Sequence, residues 1–214
     1  MAARCEYYWR KTSGLAIKCM KCCSEINNGS SGERFSMLFV IVPGNPGCIK
    51  FYERFSEVLV DNTNIPVWGI SHTGHAMSEC GVRHPAVEQC GLQEQIEHKI
   101  QYLNEEVFPA TDKVVLIGHS IGCYIILQIL DRMRSSEQKF FKSILLFPTI
   151  ERMRVSPQGR TMTPALDYGR WAFVYLSGLL AWMPRFMRDW LISSFVRVSF
   201  MHESHLFCIC SFYY

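Results

Sequence analysis

Gly118-His119-Ser120-Ile121-Gly122 places one hydroxyl between two glycines, each two positions away. That spacing suits a serine that attacks the carbonyl carbon of an ester or amide. Such a serine sits on a strained bend between a strand and a helix, where side chains at the flanking glycines would collide with packed backbone. Five residues match a short pattern by chance, so the surroundings must decide. Here Lys113 to Ile117 reads as a buried strand, and Ile121 to Leu130 is apolar on nearly every face, as in a helix packed centrally against a sheet.

An acyl-transfer serine also needs donors for the oxyanion that develops on the carbonyl oxygen. The backbone N–H of Ile121 is one candidate, at the start of a helix whose dipole favours negative charge. The second is expected from the turn Pro43-Gly44-Asn45-Pro46-Gly47. Pro43 and Pro46 carry no N–H, which makes Asn45 the best candidate.

The base that should activate Ser120 is harder to find. In this constellation the acid and then the histidine follow the serine in the chain. Downstream acids Asp131, Glu137, Glu151, Asp167, Asp189 and Glu203 all fall in predicted helices, in an arginine-rich segment or in the tail. His202 and His205 are the only histidines after Ser120, within MHESHLFCICSFYY, and read as part of an accidental tail. His119 is expected to point away from the serine, because neighbours on a strand alternate. Without a base Ser120 keeps its alcohol pKa, and weak or no turnover is expected.

The elements that must position these residues alternate. Residues 6–23 read as an edge hairpin, and Met37 to Val42 as a strand buried on both faces. After the turn 43–47, Phe51, Phe55, Val58 and Leu59 recur at helical spacing. Ile65 to Ser71 is a further strand; Leu92, Ile96, Ile100, Leu103 and Val107 stripe a further helix; Ser143 to Phe147 is a fourth buried strand. Strand and helix in strict alternation predict an α/β fold, a mostly parallel sheet with flanking helices. At 214 residues one domain is the working assumption.

Composition narrows the function. With 49% hydrophobic residues the chain is globular and apolar, and a net charge of +3 without basic runs gives no reason to expect nucleic acid. The N-terminus lacks an uninterrupted apolar run, so no signal peptide is expected and the ten cysteines are read as reduced thiols. Cys19, Cys22 and Cys23 have no second pair at metal-binding spacing, and neither do Cys208 and Cys210; His72 and His75 form one pair without a third partner. No metal or cofactor is expected. Residues 151–200 hold seven arginines against three acids, a local balance of +4, around aromatic runs such as WAFVYLSGLLAWM. This apolar run is shorter than the ~20 residues that cross a bilayer. It suits either short helices broken at Pro184 lying in a lipid interface, or a helical cap over the sheet.

The strings IVPGNPG, PVWGISHTGHA, GLQEQIEHK, VLIGHSIG and LLFPTIERM together resemble the lipid droplet-associated hydrolase family of the α/β-hydrolase superfamily, from about residue 37 to about residue 200. The resemblance implies a serine hydrolase of esterase type acting on sterol esters or other neutral lipids, at lipid droplets and the cytosolic face of the endoplasmic reticulum membrane. It places Ser120 on the family's nucleophile and the arginine-rich aromatic segment on the droplet-attachment region. It also implies an acid and a histidine beyond the last residues seen here, so the chain is expected to be a C-terminally shortened form with a divergent tail. The expected organisation is a truncated α/β-hydrolase core over 1–150, cap or lipid-interface helices over 151–200, and a divergent tail over 201–214. Two functions stay open: a weak or inactive ester hydrolase, and a non-catalytic lipid-surface binding protein.

Overall fold

Three short runs of β-branched and aliphatic residues build the centre of the sheet. Leu38–Val42 (β3) and Val67–Ile70 (β4) are buried at every position, and Val114–His119 (β5) at all but its last. Continuous apolar runs of this kind form strands covered on both faces. The computed structural model describes residues 2–12, 15–24, 34–76, 87–152, 155–191 and 193–194. Arg4–Thr12 (β1) and Leu15–Cys23 (β2) form an antiparallel hairpin, and Phe140–Leu146 (β6) completes a six-stranded sheet of order β1-β2-β4-β3-β5-β6. β3 to β6 are parallel, and β2 joins them by pairing antiparallel with β4.

Alternation along the strands sorts side chains into two cores. Leu38, Val40, Val42, Val114 and Leu116 face Leu92–Tyr102 (α2) and Ile121–Arg132 (α3), through residues such as Ile96, Ile125 and Ile129. Phe39, Ile41, Val115 and Ile117 face the other way, with Ile49 and Val60 of the segment that holds Glu53–Thr63 (α1). Period two along each strand dictates this division. The same rule separates Cys19 from Cys22: three positions apart on β2, they lie in opposite cores.

The chain leaves β3, forms β4 on one side, and returns to form β5 on the other. The strand order therefore reverses between β3 and β5. In open parallel sheets that reversal opens a crevice beyond the carboxyl ends of the two strands. Register places Val42 beside Gly118, so the turn after β3 and the bend after β5 leave the sheet side by side.

Three local expectations are corrected. Helix α1 forms as its periodicity implies, yet Phe51 is 72% exposed and Phe55 and Val58 are exposed as well; Ser56 and Val60 are the buried positions. A four-residue 3-10 turn, Ile49–Tyr52, precedes α1, and of the predicted stripe Leu59 alone packs against the core, beside Tyr52. β6 is half-exposed instead of buried, because among the described residues it pairs with β5 alone. Leu92, the first residue of the α2 stripe, is exposed where Ile96, Leu103 and Val107 are buried.

Residues 152–194 form a second compact unit. It contains one long helix, Pro157–Trp182 (α4), capped by Ser156, whose Oγ accepts the Gly159 N–H at 3.0 Å. The helix ends before Pro184, and residues 185–191 are helical again. No helix among the described residues is long and apolar enough to cross a membrane.

Candidate active site

Ser120 closes β5 and opens α3 with φ 52° and ψ −120°, a conformation that L-residues rarely adopt. Holding a non-glycine residue there costs on the order of 1–3 kcal/mol, which surrounding contacts must impose. The flanking glycines show how. A Cβ on Gly122 would lie 2.2 Å from the Val42 carbonyl oxygen and 2.6 Å from that of Pro43. A Cβ on Gly118 would lie 2.9 Å from the backbone nitrogen of Cys123. The first turn of α3 thus presses directly on the end of β3, and only glycine permits it.

Strain changes what the hydroxyl does. A serine at a helix N-cap ordinarily accepts an N–H from its own first turn. The side chain of Ser120 caps nothing; its Oγ lies 3.4 Å from Thr149 Oγ1. Backbone bonds secure the bend: Ser120 N–H donates to the Leu146 carbonyl at 3.0 Å, and the Ser120 carbonyl accepts from Cys123 at 3.0 Å and from Thr149 at 3.3 Å. An uncapped hydroxyl on a pinned backbone can be delivered to a carbonyl in the crevice above the sheet.

Asn45 lies exposed in the turn that follows β3, and Ile121 is the first residue of α3. The contact of Gly122 with Val42 and Pro43 brings these two segments together. Gly44 is already engaged: its N–H donates to the Tyr52 hydroxyl at 2.9 Å. The same hydroxyl lies 2.9 Å from Nδ1 of His119. Burial pushes the Tyr52 phenol pKa up, which keeps it protonated.

His119 does not turn away from the serine's side as strand alternation predicts. A Cβ on Gly44 would meet His119 Nδ1 at 2.6 Å and Ser120 Cβ at 3.0 Å, so both residues border the same glycine. The positive φ of Ser120 breaks the alternation after His119. Tyr52 and Thr149 are the residues that sequence reasoning missed. Thr149 carried one usable signal, its place just beyond the carboxyl end of β6; Tyr52 carried none.

Among the described residues no imidazole or carboxylate makes a hydrogen bond to Ser120 Oγ, and Asp131 pairs instead with Arg134 at 2.5 Å. His202 and His205 lie outside the described residues. No group of three metal-ligating side chains occurs among the described residues. His72 and His75 lie edge to face, with ring centroids 5.5 Å apart. Burial, with Lys99 second, lowers the pKa of His72 to about 2, which leaves this ring neutral.

The family model described as lipid-droplet associated hydrolase matches residues 36–212, reaching beyond the limit of about 200 that the sequence strings suggest. A lipid droplet-associated hydrolase of Gallus gallus is 38% identical over 190 residues, covering 84% of this chain and 58% of that protein. One of Homo sapiens is 40% identical over 185 residues, covering 80% of this chain and 56% of that protein. The chain thus spans a little over half the length of these curated relatives. Among solved structures, a thermostable esterase from Pseudomonas putida ECU1011 superposes with a TM-score of 0.52 at 12% identity, over 74% of this chain and 48% of the other. Vibralactone cyclase does so with a TM-score of 0.51 at 10% identity, over 73% and 46%. This likeness is one of fold, and the fold is that of the α/β hydrolases.

The glycine contacts set a test. Gly122→Ala is expected to lower stability by about 2 kcal/mol or more, since a carbonyl oxygen must move. Gly178→Ala, where a Cβ meets nothing within 4 Å, is expected to raise it by about 0.5–1 kcal/mol. Urea unfolding followed by circular dichroism distinguishes the two, and a Gly122→Ala protein as stable as the parent would show that the bend is not held by this contact.

Proposed function

Because the chain belongs to the lipid droplet-associated hydrolase family, we propose that it is a serine hydrolase of the carboxylic ester type, with Ser120 as nucleophile and the Ile121 and Asn45 N–H groups as oxyanion donors. The observation that carries this reading is the strained, uncapped Ser120 between two glycines whose missing side chains make room for the bend. Ser120 Oγ attacks the carbonyl carbon, and its proton passes to a base. The carbonyl oxygen takes the negative charge and is met by the two N–H groups. Collapse expels the alcohol with a proton and leaves an acyl-serine, which water then hydrolyses. Gly44 is excluded as a donor because Tyr52 occupies its N–H.

The substrates proposed are neutral lipid esters, sterol esters among them, met at a lipid droplet surface or the cytosolic face of the endoplasmic reticulum. Among the described residues the polar partner of Ser120 Oγ is the Thr149 hydroxyl, which cannot take up the proton. With these partners alone around it, Ser120 is proposed to turn over weakly, with residual rate drawn from the oxyanion donors and from binding.

A second reading has its own observation. In the second unit Trp182 is 89% exposed, Phe186 74% and Trp190 69%, with Arg185 and Arg188 among them. Aromatic side chains beside arginines suit a helix lying in a lipid interface. In this reading the chain holds to a lipid surface whether or not it turns over substrate.

Each reading has a direct test. A fluorophosphonate probe is expected to label the chain slowly at Ser120 and not to label Ser120→Ala, while hydrolysis of a p-nitrophenyl ester stays within about tenfold of the Ser120→Ala background. Equal labelling of both proteins would remove Ser120 as nucleophile, and robust Ser120-dependent turnover would overturn the weak-catalyst reading. In flotation with phospholipid-coated oil droplets, the parent is expected to rise with the oil. The triple variant Trp182→Glu, Phe186→Glu, Trp190→Glu is expected to stay in the aqueous layer, and equal flotation would clear these residues of the anchoring role.

A further inference from the structure

The loop that bears Asn45 is held at both ends, and the histidines at its far end have no part in the chemistry described so far. Gly47 N–H donates to Nδ1 of His75 at 3.1 Å. The Gly47 carbonyl accepts the His72 N–H at 2.7 Å. A Cβ on Gly47 would lie 2.4 Å from Cβ, Cγ and Cδ2 of His72, so that imidazole covers the glycine's open face. The His75 N–H donates to the His72 carbonyl at 3.1 Å and closes the turn that carries both rings. Every polar group and the bare face of one glycine are thus taken by a single four-residue turn.

That turn is itself tied to α2. Thr73 N–H donates to Gln95 Oε1 at 2.9 Å, and Gln95 Nε2 returns a bond to the Thr73 carbonyl at 3.2 Å. Thr73 Oγ1 lies 2.7 Å from His98 Nδ1, and the buried Lys99 Nζ donates to the Ser71 carbonyl at 3.3 Å. A side chain of α2 that holds residues 71–75 therefore also places Gly47.

We infer that His72 and His75 are positioning residues, a clamp that sets the loop 43–47 over Ser120 by holding Gly47 while Tyr52 holds Gly44. Asn45 lies between the two anchored glycines, and its N–H goes where they direct it. The catalytic consequence rests on the ester hydrolase reading; the clamp itself does not.

The clamp makes the loop sensitive to acid. His75 can accept the Gly47 N–H only while Nδ1 is unprotonated. Among the described residues, the charged group acting on His75 is Lys99 of α2, and the His72 ring of its own turn lies edge to face with it. Burial and then the Lys99 ammonium lower the pKa of His75, so the bond persists somewhat below the ordinary histidine range. The neutral form is the one the fold favours. Its contribution is full above about pH 6.5 and is lost as pH falls through the lower folded-state value.

Nuclear magnetic resonance of the full ¹⁵N-labelled chain reads the clamp without any turnover. The Gly47 amide shift is expected to hold steady above about pH 7 and then move with the same midpoint as the His75 imidazole. In His75→Asn, whose side-chain oxygen replaces Nδ1 as acceptor, the shift stays put through that range. In His75→Leu, exchange of the Gly47 amide with solvent is expected to quicken about tenfold or more. Phosphonylation of Ser120 should slow about tenfold or more in His75→Leu and change by less than about threefold in His75→Asn. A Gly47 amide indifferent to both pH and His75→Leu would overturn the clamp. If Ser120 resists phosphonylation in the parent while Gly47 tracks His75, the hydrolase reading falls and the clamp stands.

Discussion

The approach of Gly122 to the carbonyl oxygens of Val42 and Pro43 is the constraint on which the site depends. It locks the first turn of α3 against the end of β3, and parallel register with Val42 beside Gly118 makes that approach possible. Once the helix starts so close to the neighbouring strand, β5 must turn sharply, and Ser120 absorbs the turn as a positive φ. The same contact brings the loop after β3 beside the start of α3. The Ser120 hydroxyl, a helix N-terminus and the loop that carries Asn45 then converge because of one tolerance for a missing side chain.

Polar chemistry around the site serves mainly to hold backbone. Tyr52 and His119 occupy one end of the loop 43–47, and His72 and His75 the other. Behind them the fully buried Lys99, whose pKa burial lowers to about 7, ties α2 to the carbonyl of Ser71. Two glycines fixed by neutral imidazoles and a phenol leave the intervening backbone N–H little freedom. Preorganised donors cost nothing to align at the moment of reaction, which is the physical value of such bracing. The second unit presents exposed tryptophans beside arginines, the composition on which the proposal of a lipid-surface role rests.

Much of this was legible in the residues because it rests on short-range rules. Continuous apolar runs identified β3, β4 and β5, and glycine spacing identified the bend at Ser120. What failed did so where tertiary geometry overrides periodicity. The core takes Ser56, Val60 and Leu59 of α1, so Phe51, Phe55 and Val58 face outward. β6 stands half-exposed because burial of a strand depends on its neighbours and not on its own composition. The roles of Tyr52, Thr149, His72 and His75 were hidden for a related reason. Each meets its partner only in the folded chain, and the position of Thr149 beyond the carboxyl end of β6 is the one local signal among them.

The most direct check of the account is a crystal structure of the chain after reaction with a phosphonate ester. Ser120 is predicted to keep its positive φ, with one phosphonyl oxygen about 2.7–3.1 Å from the backbone nitrogens of both Ile121 and Asn45. A Ser120 relaxed to negative φ, or an adduct whose oxygen faces solvent away from those two nitrogens, would contradict the idea that a strained bend built on Gly122 assembles this site.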